Sequence, residues 1–140
     1  MGDAVIDILL VEDNPGDVLL TKEAMKASGI EARVEVVRNG EEDAMRFLCR
    51  QQPFSQAPRP DVLVLDLNLP GKNGHEVLSE VASDPVLKTI PVAILTSSTS
   101  ETCACETYPP GRCLYFVKTP EFRQLQEIVR QIAAHARAAG

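Results

Sequence analysis

The sequence predicts an α/β protein built on a five-stranded parallel, doubly wound sheet in the order 2-1-3-4-5. Three observations predict it. Short apolar runs rich in Val, Ile and Leu alternate five times with longer stretches of helical character. Most of these runs stop abruptly on a polar or charged residue, as strands do at the carboxyl edge of an open α/β sheet. The length of 140 residues suits one domain around one core. Right-handed crossovers require such a sheet to be wound in both directions from a starting strand. Five strands commonly take the order above, and strands 1 and 3 then flank the point where the winding reverses.

The elements follow in order. Val5 to Val11 is a first buried strand that ends on Glu12 and Asp13. Asn14 is the candidate N-cap of the next helix, with Pro15 at its first position. That helix carries Val18, Leu19 and Met25 and ends near Ser28-Gly29. Ala32 to Val37 is a second strand, alternating and therefore nearer an edge. Asn39-Gly40 turns the chain into a helix from Glu41 to about Cys49, with Ala44, Phe47 and Leu48 inward. The proline-containing stretch Gln51 to Pro60 reads as an exposed loop. Asp61 to Asp66 is an apolar run without polar alternation, the mark of a strand buried on both faces. A turn of Asn68, Pro70 and Gly71 follows it.

Gly74 to Ser83 is a third helix with Val77, Leu78 and Val81 inward, and Asp84-Pro85 ends it. Pro91 to Thr96 is a fourth strand that stops on the hydroxyls of Thr96, Ser97 and Ser98. Ser100 to about Tyr108 is a fourth helix with a thin apolar face, cut short by Pro109-Pro110-Gly111. Cys113 to Val117 is a fifth strand ending on Lys118. Glu121 to about Ala138 is a fifth helix, with Phe122, Leu125, Ile128, Val129, Ile132 and Ala136 in a stripe.

The totals exclude several functions. A formal net charge of −6 without a Lys/Arg cluster argues against nucleic-acid binding. No apolar run approaches the length of a membrane span, and the N-terminus lacks the pattern of a signal peptide, so a cytoplasmic location is expected. Cys49, Cys103, Cys105 and Cys113 form no C-x-x-C pair, and His75 and His135 lack ligand spacing, which argues against zinc. The cysteines read as reduced apolar fillers. His75 reads as a solvated surface residue, and Arg123, Arg130 and Arg137 mark a solvated helix face.

Chemistry gathers at the strand ends. Strand 1 offers Glu12 and Asp13, strand 3 Asp66, strand 4 Thr96 and strand 5 Lys118. A single polar strand end commonly caps a helix or faces water. Five converging on one edge point to function. Three close carboxylates repel one another, and their pKa values rise unless a cation intervenes. Oxygen-only ligands suit magnesium, which takes one or two carboxylates and keeps several waters. Asp13 and Asp66 are the candidate direct ligands, with the Asn68 carbonyl as a third and Glu12 acting through water. A carboxylate is also a nucleophile able to form an aspartyl phosphate. Phosphoryl transfer asks mainly for positioning and charge neutralisation, which Lys118 and the Thr96 hydroxyl offer.

Ile8-Leu-Leu-Val-Glu12-Asp13, Val64-Leu-Asp66-Leu-Asn68-Leu-Pro70-Gly71, Leu95-Thr96-Ser97 and Tyr115-Phe-Val-Lys118 stand in the order and spacing of four family signatures. On these motifs the chain resembles a receiver domain of the two-component response regulators, with its flavodoxin-like fold. The resemblance implies that Asp66 is the phosphoacceptor, that Glu12, Asp13, Asp66 and Asn68 form the Mg2+ site, and that Thr96 and Lys118 bind the phosphoryl group. It implies that Thr96 and Tyr115 act as the switch, the aromatic ring turning inward as the hydroxyl moves toward phosphate. Glu12-Asp-Asn-Pro-Gly-Asp17 and the Gln51–Pro60 loop resemble the stand-alone regulators of bacterial phytochrome histidine kinases. The implied partners are such a sensor kinase and a second copy of the chain, joined through the fourth helix, fifth strand and fifth helix. Residues 1–140 then read as a single receiver domain in a phosphorelay, with no output domain.

One departure stands out. The family usually places proline directly after the lysine, often with a cis bond, whereas Thr119 here intervenes before Pro120. Without proline a cis bond costs about 3–4 kcal/mol, so the bond is trans or the loop is rearranged. Three other readings compete. A hydrolase with an aspartyl-phosphate intermediate would want a second Asp two residues after the nucleophile, and Asn68 occupies that position and cannot serve as general acid. A phosphorylation-independent protein-binding module on the same fold is opposed by the complete set of site residues. A flavin-binding domain is opposed by the acidic first loop, where a phosphate cradle would want backbone donors.

Overall fold

In the computed structural model, residues 5–38, 44–52, 56–57, 59–68, 74–97 and 102–139 are described, without the side chains of 102, 103, 107 and 139. Five strands, β1 (Ile6–Val11), β2 (Ala32–Val37), β3 (Val62–Leu65), β4 (Val92–Thr96) and β5 (Cys113–Val117), form one sheet in the order β2-β1-β3-β4-β5. Every pairing is parallel. The helices are α1 (Pro15–Ala27), α2 (Met45–Leu48), α3 (Gly74–Ser83) and α4 (Phe122–Ala139).

Alternating strand side chains build two cores, one on each face. Leu9, Val11, Leu63, Leu65, Val92 and Ile94 face one way and meet Phe47 and Leu48 of α2 and Val77, Leu78 and Val81 of α3. Ile8, Leu10, Val62, Val64, Ala93 and Leu95 face the other way and meet Ala24 and Met25 of α1 and Leu125, Val129, Ile132 and Ala136 of α4. β3 is buried at every position, as its unbroken apolar run requires. β2 alternates between half-buried and exposed because it is an edge.

Four expectations change. The fourth helix is a 3-10 segment, Thr102–Thr107, consistent with its thin apolar face and the prolines that follow. Leu19 is exposed, since the buried line of α1 runs through Thr21, Ala24 and Met25 and Leu19 falls well off it at 100° per residue. Phe122 opens α4 and is also exposed, the stripe beginning only at Leu125. Finally, the cysteines are not all reduced. Cys105 and Cys113 are joined by a disulfide, with Cα atoms 5.4 Å apart. The turn Pro109–Arg112 brings them together. Its Arg112 N–H donates to the Pro109 carbonyl, and Gly111 takes the positive φ of 79° that such a turn needs after Pro110. The Asn39-Gly40 turn, the start of the second helix, much of the Gln51–Pro60 loop and the Pro70-Gly71 turn lie outside the described residues.

Candidate functional site

Strand register brings the polar ends together. Val11 of β1 lies beside Leu65 of β3, so Glu12 and Asp66 emerge at the same level. Backbone bonds hold that level past the strands: Asp66 N–H donates to the Val11 carbonyl and Glu12 N–H to the Val37 carbonyl, each at 3.0 Å. On the other side Thr96 pairs with Val117, and Lys118 N–H donates to the Thr96 carbonyl at 2.7 Å. Glu12, Asp66 and Thr96 are all buried, with only 5% of Asp66 exposed. Ligand oxygens of Glu12, Asp13 and Asp66 lie within 4.8 Å of one another, so a single hard cation can reach all three.

Lys118 reaches into this rim from the β5 end. Its Nζ lies 2.6 Å from Glu12 Oε1, 2.8 Å from Asp17 Oδ2 and 2.9 Å from Asp66 Oδ2. Three carboxylates thus share one ammonium, and Asp13 adds a fourth negative group nearby. Burial alone depresses the Lys118 pKa, but hydrogen bonds to Asp17, Glu12 and Asp66 outweigh it and hold the ammonium above its ordinary value. Burial pushes Glu12 the other way from an ordinary carboxyl, up to about 7, with Lys118 and the Asn14 N–H opposing it and the Asp66 charge adding to it. Four carboxylates around one ammonium, two of them buried, fit a divalent cation.

The loop after β3 is held from both sides. Asp66 Oδ1 accepts the Asn68 N–H at 3.0 Å, while Oδ2 faces Lys118. Gly74, the first residue of α3, donates its N–H to the Leu67 carbonyl. A Cβ there would stand 2.5 Å from Leu67 Cα and closer still to the Asp66 carbonyl oxygen, so only glycine allows α3 to start against this loop. Thr96 differs from its neighbours. Its Oγ1 is buried and has no hydrogen-bond partner among the described residues. A buried hydroxyl left without a partner at the edge of a cation-binding carboxylate cluster fits an incoming phosphoryl oxygen.

Each expected site residue is therefore placed. Glu12, Asp66 and Lys118 are in contact, Asp13 completes the acidic group, Thr96 sits at the adjoining strand end and Asn68 follows Asp66. Tyr115 lies half-buried in β5 beside Ile94. The Thr119 departure does not withdraw the lysine. Thr119 Oγ1 accepts the Glu121 N–H and donates to Gln124 Oε1, so its hydroxyl ties the entrance of α4.

Asp17 was not foreseen as a site residue. It is the third residue of α1, and the Asn14 side chain accepts both its N–H and that of Gly16. An acidic residue there suits the helix dipole, which is how the sequence presents it. Its contact with a lysine 101 positions away leaves no local signal.

The Response regulator receiver domain family model matches residues 8–130. The response regulator Rcp1 of Synechocystis sp. is 40% identical over 125 residues, covering 89% of this chain and 84% of that protein. The crystal structure of the phosphorylated cyanobacterial phytochrome response regulator RcpA matches with a TM-score of 0.83 at 39% identity, covering 98% of this chain and 97% of that one. The Mn(2+)-bound form of Rcp1 matches with a TM-score of 0.79 at 39% identity, covering 92% of each chain.

Proposed function

Because the chain belongs to the response regulator receiver family, we propose that it accepts a phosphoryl group on Asp66 from a sensor histidine kinase and uses the modified state as a signal. The observation that carries this reading is the rim itself. A buried carboxylate is paired to Lys118 at 2.9 Å, beside the partnerless buried hydroxyl of Thr96. In the transfer, an Asp66 oxygen bonds to phosphorus as the bond from phosphorus to the donor breaks, and the donor leaves with that electron pair. Lys118 passes from the carboxylate to a phosphoryl oxygen, and Thr96 donates its proton to another. Glu12, Asp13, Asp66 and Asn68 would hold Mg2+, supported by the clustered carboxylates and by the metal-bound relative. An ion bound there would supply neutralisation of charge on the transferring group.

Phosphate then biases the β4–β5 side, where Thr96 and Tyr115 lie, by its different contacts in the two states. The kinase is of the phytochrome type, supported by Rcp1 and RcpA. The regulator works in the cytoplasm and pairs with a second copy through the Thr102–Thr107 segment, β5 and α4. It turns over no external substrate, because Asn68 holds the place where a general acid would stand. No described helix is long and apolar enough to cross a membrane.

The test is intact mass and sedimentation with acetyl phosphate and Mg2+, on wild type and Asp66→Asn. One phosphoryl group on wild type and none on the variant is expected. Equal labelling of both proteins would sink the assignment of Asp66.

A further inference from the structure

The 3-10 segment Thr102–Thr107 covers the sheet beside β5 with six residues and cannot hold its own conformation, since so short a helix has too few internal bonds. Two ties fix it. At its far end Tyr108 is buried, and its hydroxyl donates to the Ile90 carbonyl at 2.7 Å. Within it, Cys105 is bonded to Cys113, the first residue of β5. The first tie is made of packing and hydrogen bonding. The second depends on the oxidation state of two sulfurs.

The position of the second tie is informative. Cys113 pairs with Val92 at the start of β4, whereas Thr96 pairs with Val117 at the other end. The disulfide therefore lies about 13 Å along the strands from the phosphoacceptor edge. Cys113 and Tyr115 point to the same face of β5, and both pack against the core cluster that includes Ala104 and Tyr108. Both bonded cysteines are half-buried, so a small thiol can reach them. Cys49 is exposed and free, so not every cysteine of the described residues is bonded.

We propose that Cys105 and Cys113 are a thiol–disulfide modification site, closed by a small disulfide of the glutathione class and opened by a dithiol reductant, that sets how freely the Thr102–Thr107 segment moves against β5. Closure proceeds by exchange. One cysteine thiolate attacks the small disulfide and displaces one thiol, giving a mixed disulfide. The second thiolate then attacks the protein sulfur of that mixed disulfide and releases the other thiol. Two cysteines are oxidised and one small disulfide is reduced to two thiols, which carry away the two protons. Opening reverses this with a dithiol, whose own pair becomes the disulfide. The bond stands independently of phosphorylation. Its effect on signalling rests on the proposed function, because the segment it restrains adjoins Tyr115.

The experiment uses the full chain equilibrated in mixtures of reduced and oxidised glutathione. Thiol alkylation with peptide mass mapping reads the bond, and hydrogen exchange reads the segment, each with and without acetyl phosphate and Mg2+. A linked Cys105–Cys113 peptide is expected to appear and disappear across the series. Exchange at 104–108 and 114–117 is expected to quicken by about tenfold or more on reduction. Phosphoryl incorporation at Asp66 is expected to stay within about twofold, since the bond lies far from that edge. Cys105→Ser and Cys113→Ser should each show the reduced pattern in every mixture, and Cys49→Ser should respond as wild type does. The proposal is overturned if the linked peptide never forms, if a dithiol in excess cannot open it, or if exchange ignores its state. Loss of phosphoryl incorporation in both redox forms would instead strike the proposed function and leave the modification site standing.

Discussion

β3 and β5 are parallel strands of one sheet, and each ends on a residue of the site, yet they are built differently. β3 is buried at all four positions and packs between β1 and β4. β5 is an edge strand, half-buried along most of its length and exposed at Val117. β3 delivers Asp66 from the centre of the molecule, where two cores fix its height. β5 delivers Lys118 from a margin whose cover is a 3-10 segment and a disulfide. The difference teaches how the work is divided. The carboxylate proposed as acceptor is held by the core, and the lysine that faces it sits where the structure can yield.

Core truncation puts that contrast to its hardest test. Leu65→Ala removes a fully buried side chain from β3 and should lower stability by about 2–5 kcal/mol. Phe116→Ala removes a larger side chain from β5, yet it is half-buried and should cost only about 1–2 kcal/mol. Urea denaturation of both variants measures this. If the β5 variant loses as much as the β3 variant, the edge is as firmly built as the centre and the division fails.

Thr96 sharpens the comparison at a single atom, because it ends β4 between the two regions. Its hydroxyl is buried without a partner among the described residues, so Thr96→Val sacrifices no hydrogen bond. Stability should stay level or rise by about 1 kcal/mol. Phosphoryl incorporation should fall by about two orders of magnitude, as when one donor to a developing anion is removed. Destabilisation with unchanged labelling would mean that the hydroxyl serves the fold and not the phosphoryl group.

The sequence made the chemistry more legible than the margin. Glu12, Asp13, Asp66, Thr96 and Lys118 could be placed because each follows an apolar run, and parallel register alone brings such ends to one edge. The same runs gave five strands, whose order followed from the common winding of such sheets, with helices on both faces. What was missed depends on contacts without local pattern. Asp17 meets Lys118 across 101 residues, and Gly74 is required by the backbone of Asp66 and Leu67, which no periodicity reveals. The Cys105–Cys113 bond depends on the Pro109–Arg112 turn, so spacing alone left both thiols as fillers. Leu19 and Phe122 looked like core because they are apolar, whereas helical phase leaves Leu19 outside and Phe122 stands at the first position of α4, ahead of its buried stripe.

The smallest effect expected concerns protons at the fixed side of the site. Burial raises Glu12 from 4.5 to about 7, so the metal-free folded state holds this proton more tightly than the unfolded chain does. Its contribution to stability is then greatest below about pH 4.5 and is lost as pH rises through about 7. A divalent cation reverses the preference, because the carboxylate that serves it must be ionised. Mg2+ affinity should therefore rise with pH, by up to about tenfold per unit below 7 and little above it, with about one proton released per ion. Titration calorimetry at pH 6, 7 and 8, in two buffers of different ionisation enthalpy, measures both quantities (pH values about these settings suffice). Glu12→Gln should flatten the profile while leaving Asp13 and Asp66 to bind the ion more weakly. A wild-type profile already flat from about pH 6 would mean that Lys118, 2.6 Å away, keeps Glu12 ionised without metal. In that case the edge strand, through its lysine, would set the charge of the central rim, and the two regions would be coupled before any phosphate arrives.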